Sequence, residues 1–79
     1  VKVNVCHSDY IEIAHRITEE MIKGGPLPHP KMERGPDHVR IDLEHCTLYG
    51  FVSDWVILGE GEPDIVSANT YRCNYAEVK

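Results

Sequence analysis

The stretch 24–38, GGPLPHPKMERGPDH, holds four of the five prolines and three of the six glycines of a 79-residue chain. Proline fixes φ and removes a backbone donor, so the alternating prolines of PLPHP hold the backbone to an extended, polyproline-like path. Any fold of this chain is therefore divided into a segment before the run and a segment after it, joined by a stiffened connection. Connections of more than about 12 structureless residues are uncommon in compact domains, and they tend to carry function.

Before the run, VKVNV (1–5) alternates Val1, Val3 and Val5 with Lys2 and Asn4, the period of a half-buried strand. The next residues predict a helix over 9–23. At 100° per residue Tyr10, Ile11, Ile13, Ala14, Ile17, Thr18, Met21 and Ile22 gather on one half of the wheel, and Glu12, His15, Arg16, Glu19, Glu20 and Lys23 on the other. Ser8 or Asp9 supplies a cap, Asp9 and Glu12 have capping-box spacing, and Gly24 supplies the stop. Glu12 with Arg16 and Glu19 with Lys23 add favourable i, i+4 pairs.

After the run the chain reads as strands. HVRIDLEH (38–45) sets Val39, Ile41 and Leu43 against His38, Arg40, Asp42 and Glu44. The apolar stretch 47–58 is too long for one strand and breaks best at Ser53-Asp54, giving strands over 47–52 and 55–58. GEGEP (59–63) is a turn, 65–67 a short strand, and 70–78 a last strand with Tyr71, Cys73 and Tyr75 on one face. These elements predict a single small α+β domain over 1–79, in the order β-α-β-β-β-β. One amphipathic helix lies on a mainly antiparallel sheet of four to five strands. If the strands over 1–5 and 38–45 were parallel neighbours, helix and loop together would form the crossover, and the loop would only span distance.

Composition narrows the function. Thirteen acidic against eight basic side chains give a net charge of −5, which opposes binding to a phosphate backbone, so nucleic acid is not the expected partner. No apolar run reaches the roughly 20 residues that span a bilayer, and no basic leader with an apolar stretch precedes the first strand, so a cytoplasmic, membrane-free chain is the expectation. Three widely spaced cysteines, Cys6, Cys46 and Cys73, fit reduced thiols better than a disulfide framework.

Catalytic and metal chemistry find little to stand on. Cys6-His7, His45-Cys46 and Cys73 carry zinc-type ligands, but no pair has the two-to-four-residue separation that lets two side chains converge on one ion. Of the thiols, Cys6 is the candidate nucleophile, because it would sit just ahead of the predicted helix and its positive end. Glu19-Glu20 and Glu60/Glu62/Asp64 read as solvated carboxylates, and the G-x-G of GEGEP has acids where a phosphate loop needs a lysine. No catalytic set, metal or cofactor is expected.

What is left is the 24–38 loop, with Leu27 and Met32 as apolar anchors and His29, Lys31 and Arg34 as a basic edge on an acidic body. These five residues are the expected contact set of a non-enzymatic protein-binding module, such as a regulator or inhibitor of a larger macromolecule. The alternative is a metal- or thiol-site protein using Cys6, Cys46, Cys73 and a histidine. An exposed edge strand over 70–78 also offers a route to homo-oligomers.

Overall fold

The alternation of VKVNV does form a strand, β1 (Lys2–Val5), which buries Val3. Its neighbour is an antiparallel strand, β2 (Ile11–Arg16), with Lys2 opposite Ile13 and Asn4 opposite Ile11. The computed structural model describes residues 1–6 and 10–78, so Ser8 and Asp9, the expected helix caps, lie outside the described residues.

The helix predicted over 9–23 is thus corrected to a strand followed by one helical turn, α1 (Glu19–Lys23). The segment IEIAHR satisfies two periods at once. Read at period two, Glu12, Ala14 and Arg16 share one side, and Ile11, Ile13 and His15 the other. β-branched isoleucines lose rotamer freedom in a helix, and as a strand the segment gains main-chain partners on both sides, in β1 and in β6 (Trp55–Leu58). The i, i+4 pairs, worth a few tenths of a kcal/mol each, do not compete with that. The cost is visible: Ile11 and Ile13 stay 52% and 45% exposed. Where helix does form, Thr18 Oγ1 accepts from the Met21 N–H at 3.3 Å. Gly24, at φ 133°, ends it as expected, its N–H donating to the Glu20 carbonyl.

The connection 24–38 is not structureless throughout. Met32–Arg34 forms β3, paired with β4 (Val39–Asp42) through Met32 opposite Ile41 and Arg34 opposite Val39. Gly35-Pro36-Asp37 closes this hairpin, with the Gly35 N–H donating to the His38 carbonyl at 2.8 Å. β4 buries Val39 and Ile41, as its alternation requires, and pairs in turn with β5 (Thr47–Gly50). The break at Ser53-Asp54 is real: Ser53 takes φ 82°, and Asp54 Oδ2 accepts from the Phe51 N–H at 2.9 Å. From there the chain runs into β6, then β7 (Asp64–Val66).

The last predicted strand, 70–78, is also corrected. Ser67 Oγ accepts from the Thr70 N–H at 3.1 Å and starts a helix, α2 (Ala68–Asn74), leaving only β8 (Tyr75–Glu77) as strand. Tyr71 and Tyr75 still meet, but Cys73 points to solvent.

The chain is α+β, with eight strands among the described residues rather than the expected five or so. They form a five-stranded sheet in the order β7-β6-β2-β1-β8 and a three-stranded sheet in the order β3-β4-β5. Every pairing among the described residues is antiparallel, and the strands from 1–5 and 38–45 lie in different sheets, so the 24–38 run does not serve a parallel crossover. Because side chains alternate along β6, Val56 and Ile57 enter different cores. Val56 joins Ile17, Met32, Val39 and Ile41 between the sheets. Ile57 joins Val3, Ala14 and Tyr71 beneath α2. Among the described residues no helix is long and apolar enough to cross a membrane.

Candidate functional site

The proline-rich segment is fastened at both ends. The Gly25 N–H donates to the Glu20 carbonyl at 2.7 Å, and a Cβ at Gly25 would stand 2.8 Å from that oxygen, so glycine is required for the close approach. At the other end the Met32 N–H donates to the His29 carbonyl at 3.1 Å. Arg34 ties the two together. Its Nε donates to the Met21 carbonyl at 2.9 Å and its Nη2 to the Gly25 carbonyl, so one guanidinium occupies the exposed carbonyls where α1 ends.

The five residues expected to bind a partner are therefore sent to different tasks. Met32, expected as an exposed anchor, is 5% exposed and belongs to the inter-sheet core, because as the first residue of β3 it faces Ile41. Arg34 is a clamp within the chain. His29 is half-buried, its Nδ1 accepting from the Lys31 N–H at 3.1 Å. It borders, with Lys31, a shallow depression whose other side holds Glu44, Glu60 and Glu62. Leu27 is half-buried, with one side against the inter-sheet core and the other facing an open groove.

That groove, of about 440 Å³, lies between the end of β2 and the segment 26–28. Pro26, Leu27 and Pro28 form one wall, Met21 and Trp55 add apolar surface, and His15 and Arg16 supply the only ionisable side chains along it. Trp55 is braced from behind: its ring stacks on Tyr71 at 3.9 Å between centroids and 6° between planes, and Tyr71 in turn stacks near-parallel on Tyr75 at 5.8 Å. The His15 imidazole titrates below its ordinary range, first because it is partly buried and second because the Val1 ammonium is near. Arg16 forms no ion pair among the described residues, and its Nη2 reaches the Ser53 hydroxyl at 3.3 Å.

Sequence reasoning missed Trp55, His15 and Arg16 because it placed 9–23 on a helix, with His15 and Arg16 on its wet face. The available signal was the alternation of Glu12, Ala14 and Arg16 against Ile11, Ile13 and His15. A second exposed cluster was missed too: His38 packs edge-on to Tyr49 at 5.4 Å and beside Phe51 at 5.8 Å on the outer side of the small sheet. Arg40 on the same face is held by Glu33 at 2.6 Å, which with Asp42 raises its already high pKa.

The thiol readings gain nothing. Cys6, Cys46 and Cys73 are free and exposed. Cys6 lies in the turn after β1, and Ile11–Arg16, expected as helix, is strand β2, so the expected helix over 9–23 does not supply the basis for an activated thiol there; His7 lies outside the described residues. Among the described residues no three His, Cys, Asp or Glu side chains are grouped to hold a metal ion. Comparisons with protein-family models, curated proteins and solved structures find no match for this chain.

Proposed function

We propose that the chain acts as a small non-enzymatic protein-binding module, a regulator or inhibitor of a larger macromolecule, which it contacts through the 24–38 segment. The observation that carries this reading is the open groove walled by Pro26, Leu27 and Pro28, with a braced indole and the Arg16 guanidinium, which has no ion pair among the described residues, opposite. Prolines fixed in place lose little entropy on binding, and aromatic and arginine side chains are the usual energetic anchors of interfaces. Leu27 keeps its proposed contact role, now as part of the groove wall, and His29 and Lys31 follow it in the segment, beside a separate depression. Met32 and Arg34 support the segment from within.

Affinity capture with the purified chain tests this. A stoichiometric partner recovered by the wild type is lost with Pro26→Glu, an exposed position, at unchanged thermal midpoint. If Pro26→Glu and Lys31→Glu both retain the partner fully, the 24–38 segment is not the contact surface.

A further inference from the structure

We infer that the outer side of the three-stranded sheet is a second binding site, independent of the groove at 26–28, and that it takes a proline-rich peptide of a partner carrying a basic residue. The site starts from two rings. Tyr49 and Phe51 flank Gly50, which faces the inter-sheet core, so both project outward, 55% and 49% exposed. Neither ring is loose. His38, just ahead of β4, sets its imidazole edge-on to Tyr49 at 5.4 Å and tilted beside Phe51 at 5.8 Å. The imidazole is fixed in turn: its Nδ1 lies 2.9 Å from Asp37 Oδ1, and it covers Gly35, where a Cβ would strike it. The Phe51 main chain is locked to Asp54, its N–H donating to Oδ2 at 2.9 Å and its carbonyl accepting from the Asp54 N–H at 3.0 Å. Rings held on such a base lose little freedom when a partner covers them.

Spacing and charge select the occupant. Residues two apart on a strand stand about 7 Å apart. Prolines two or three apart in a polyproline helix are spaced about 6–9 Å, so two of them can rest on the two rings, and the helix arrives already ordered. Its unpaired carbonyls are acceptors for a phenol such as Tyr49. Beside the rings lies an open depression of about 420 Å³, bordered by Asp37 and Val52, the chain neighbours of His38 and Phe51. Ile22, Pro36 and Val52 give it apolar walls, and Glu19 and Asp37 outnumber Lys23. Across the rest of the face Glu33 and Asp42 already hold Arg40, at 2.6 and 3.7 Å. A lysine or arginine next to the prolines thus meets carboxylates, whereas the phosphates of a single strand stacked on the rings would be repelled.

The test is an NMR titration of the 15N-labelled chain with acetyl-Arg-Pro-Pro-Pro-Pro-Pro-Arg-amide, whose two arginines allow either chain direction. Binding should shift the amides of Tyr49, Phe51 and Val52. Replacing the prolines by alternating glycine and serine, or both arginines by glutamate, should weaken binding at least about tenfold, as should Tyr49→Ser or Phe51→Ser in the chain. Pro26→Glu, in the other groove, should leave the affinity within about twofold.

The proposal falls if the glycine-serine or glutamate peptide binds as well, if both serine variants bind unchanged, or if the shifts gather at Trp55 and Ala14. It falls if oligothymidylate displaces the peptide from the rings at equal concentration. It falls too if the chain alone self-associates in sedimentation and Tyr49→Ser abolishes this, since the occupant is then a second copy. The peptide controls act on the unaltered chain, so they decide the matter even where a serine variant fails to fold. If no peptide binds here but Pro26→Glu still loses its captured partner, this site is rejected and the groove at 26–28 stands.

Discussion

The two faces of the five-stranded sheet are buried by different means. Between the sheets, Ile17, Met32, Val39, Ile41 and Val56 come from four separate segments and are all aliphatic or thioether. Beneath α2, smaller Val3 and Ala14 lie with Ile57 under a stack of three rings, Trp55, Tyr71 and Tyr75. The first core contains no titratable side chain among its buried members. The second reaches the surface at both ends of its stack, where Trp55 meets the groove and the Tyr71 hydroxyl donates to Glu77 at 3.3 Å. One side of the sheet thus holds the molecule together, and the other links that support to a surface available for binding.

The sharpest test of this division is Ile41→Ala, which removes a fully buried side chain from the inter-sheet core. It should cost about 2–5 kcal/mol in urea unfolding, enough to threaten a domain of this size. Gly50→Ala probes the same core from the opposite direction. Gly50 is buried, and a Cβ there would meet the Ile17 side chain and stand 3.2 Å from Ile65, so overpacking should cost about 1–3 kcal/mol. If either variant unfolds at wild-type urea concentration, the inter-sheet core is not the main source of stability.

On the other face, Tyr71→Leu keeps an apolar side chain but ends the stacking, with a loss of about 0.5–1.5 kcal/mol from that contact and a changed Trp55 fluorescence. The two cores should also part company in alkali. Burial, and then Glu77, raises the Tyr71 pKa above 10; burial, and then Glu12 and Asp64, does the same for Tyr75. Both phenols stay protonated in the folded chain at a pH where the unfolded chain ionises. Their contribution is complete below pH 10 and is lost as pH rises from there through the raised values. Phenylalanine at both positions should flatten that decline, whereas Ile41→Ala should shift the whole curve and leave its alkaline slope alone.

The smallest effect expected is at His15. Its lowered pKa means the unfolded chain takes up a proton first, so stability is intact above pH 6.5 and falls as pH drops toward the folded value. His15→Gln should remove that slope without altering the alkaline one, as followed by thermal unfolding between pH 7 and 5.

The sequence was legible where one period stood alone and local chemistry agreed with it. Val39 and Ile41 alternate with Arg40 and Asp42, and Gly35-Pro36-Asp37 turns the chain just before them, so β4 and its hairpin are fixed by neighbours in sequence. Residues 11–16 carry helical and strand periods together, and the decision came from β6, more than 35 residues away. Met32 is a similar case: its burial depends on the pairing of β3 with β4 rather than on the prolines before it. The groove inherits both difficulties. Pro26, Leu27 and Pro28 stood out from composition, but the opposite wall exists only once β2 is a strand and Trp55 lies across from Arg16.

The pairing of β1 with β8, Val3 opposite Glu77 and the Val78 N–H donating to Lys2, bears on how the molecule is made. A ribosome releases β1 first and β8 near the end of these 79 residues, so the large sheet lacks its closing strand until the rest has been synthesised. The hairpin of β1 and β2 must wait with bare edges and with Ile11 and Ile13 uncovered. Such distant pairing slows folding and lengthens exposure to other nascent chains. Yield from a cell should therefore depend on growth temperature and chaperone supply, even for variants whose purified form is as stable as the parent.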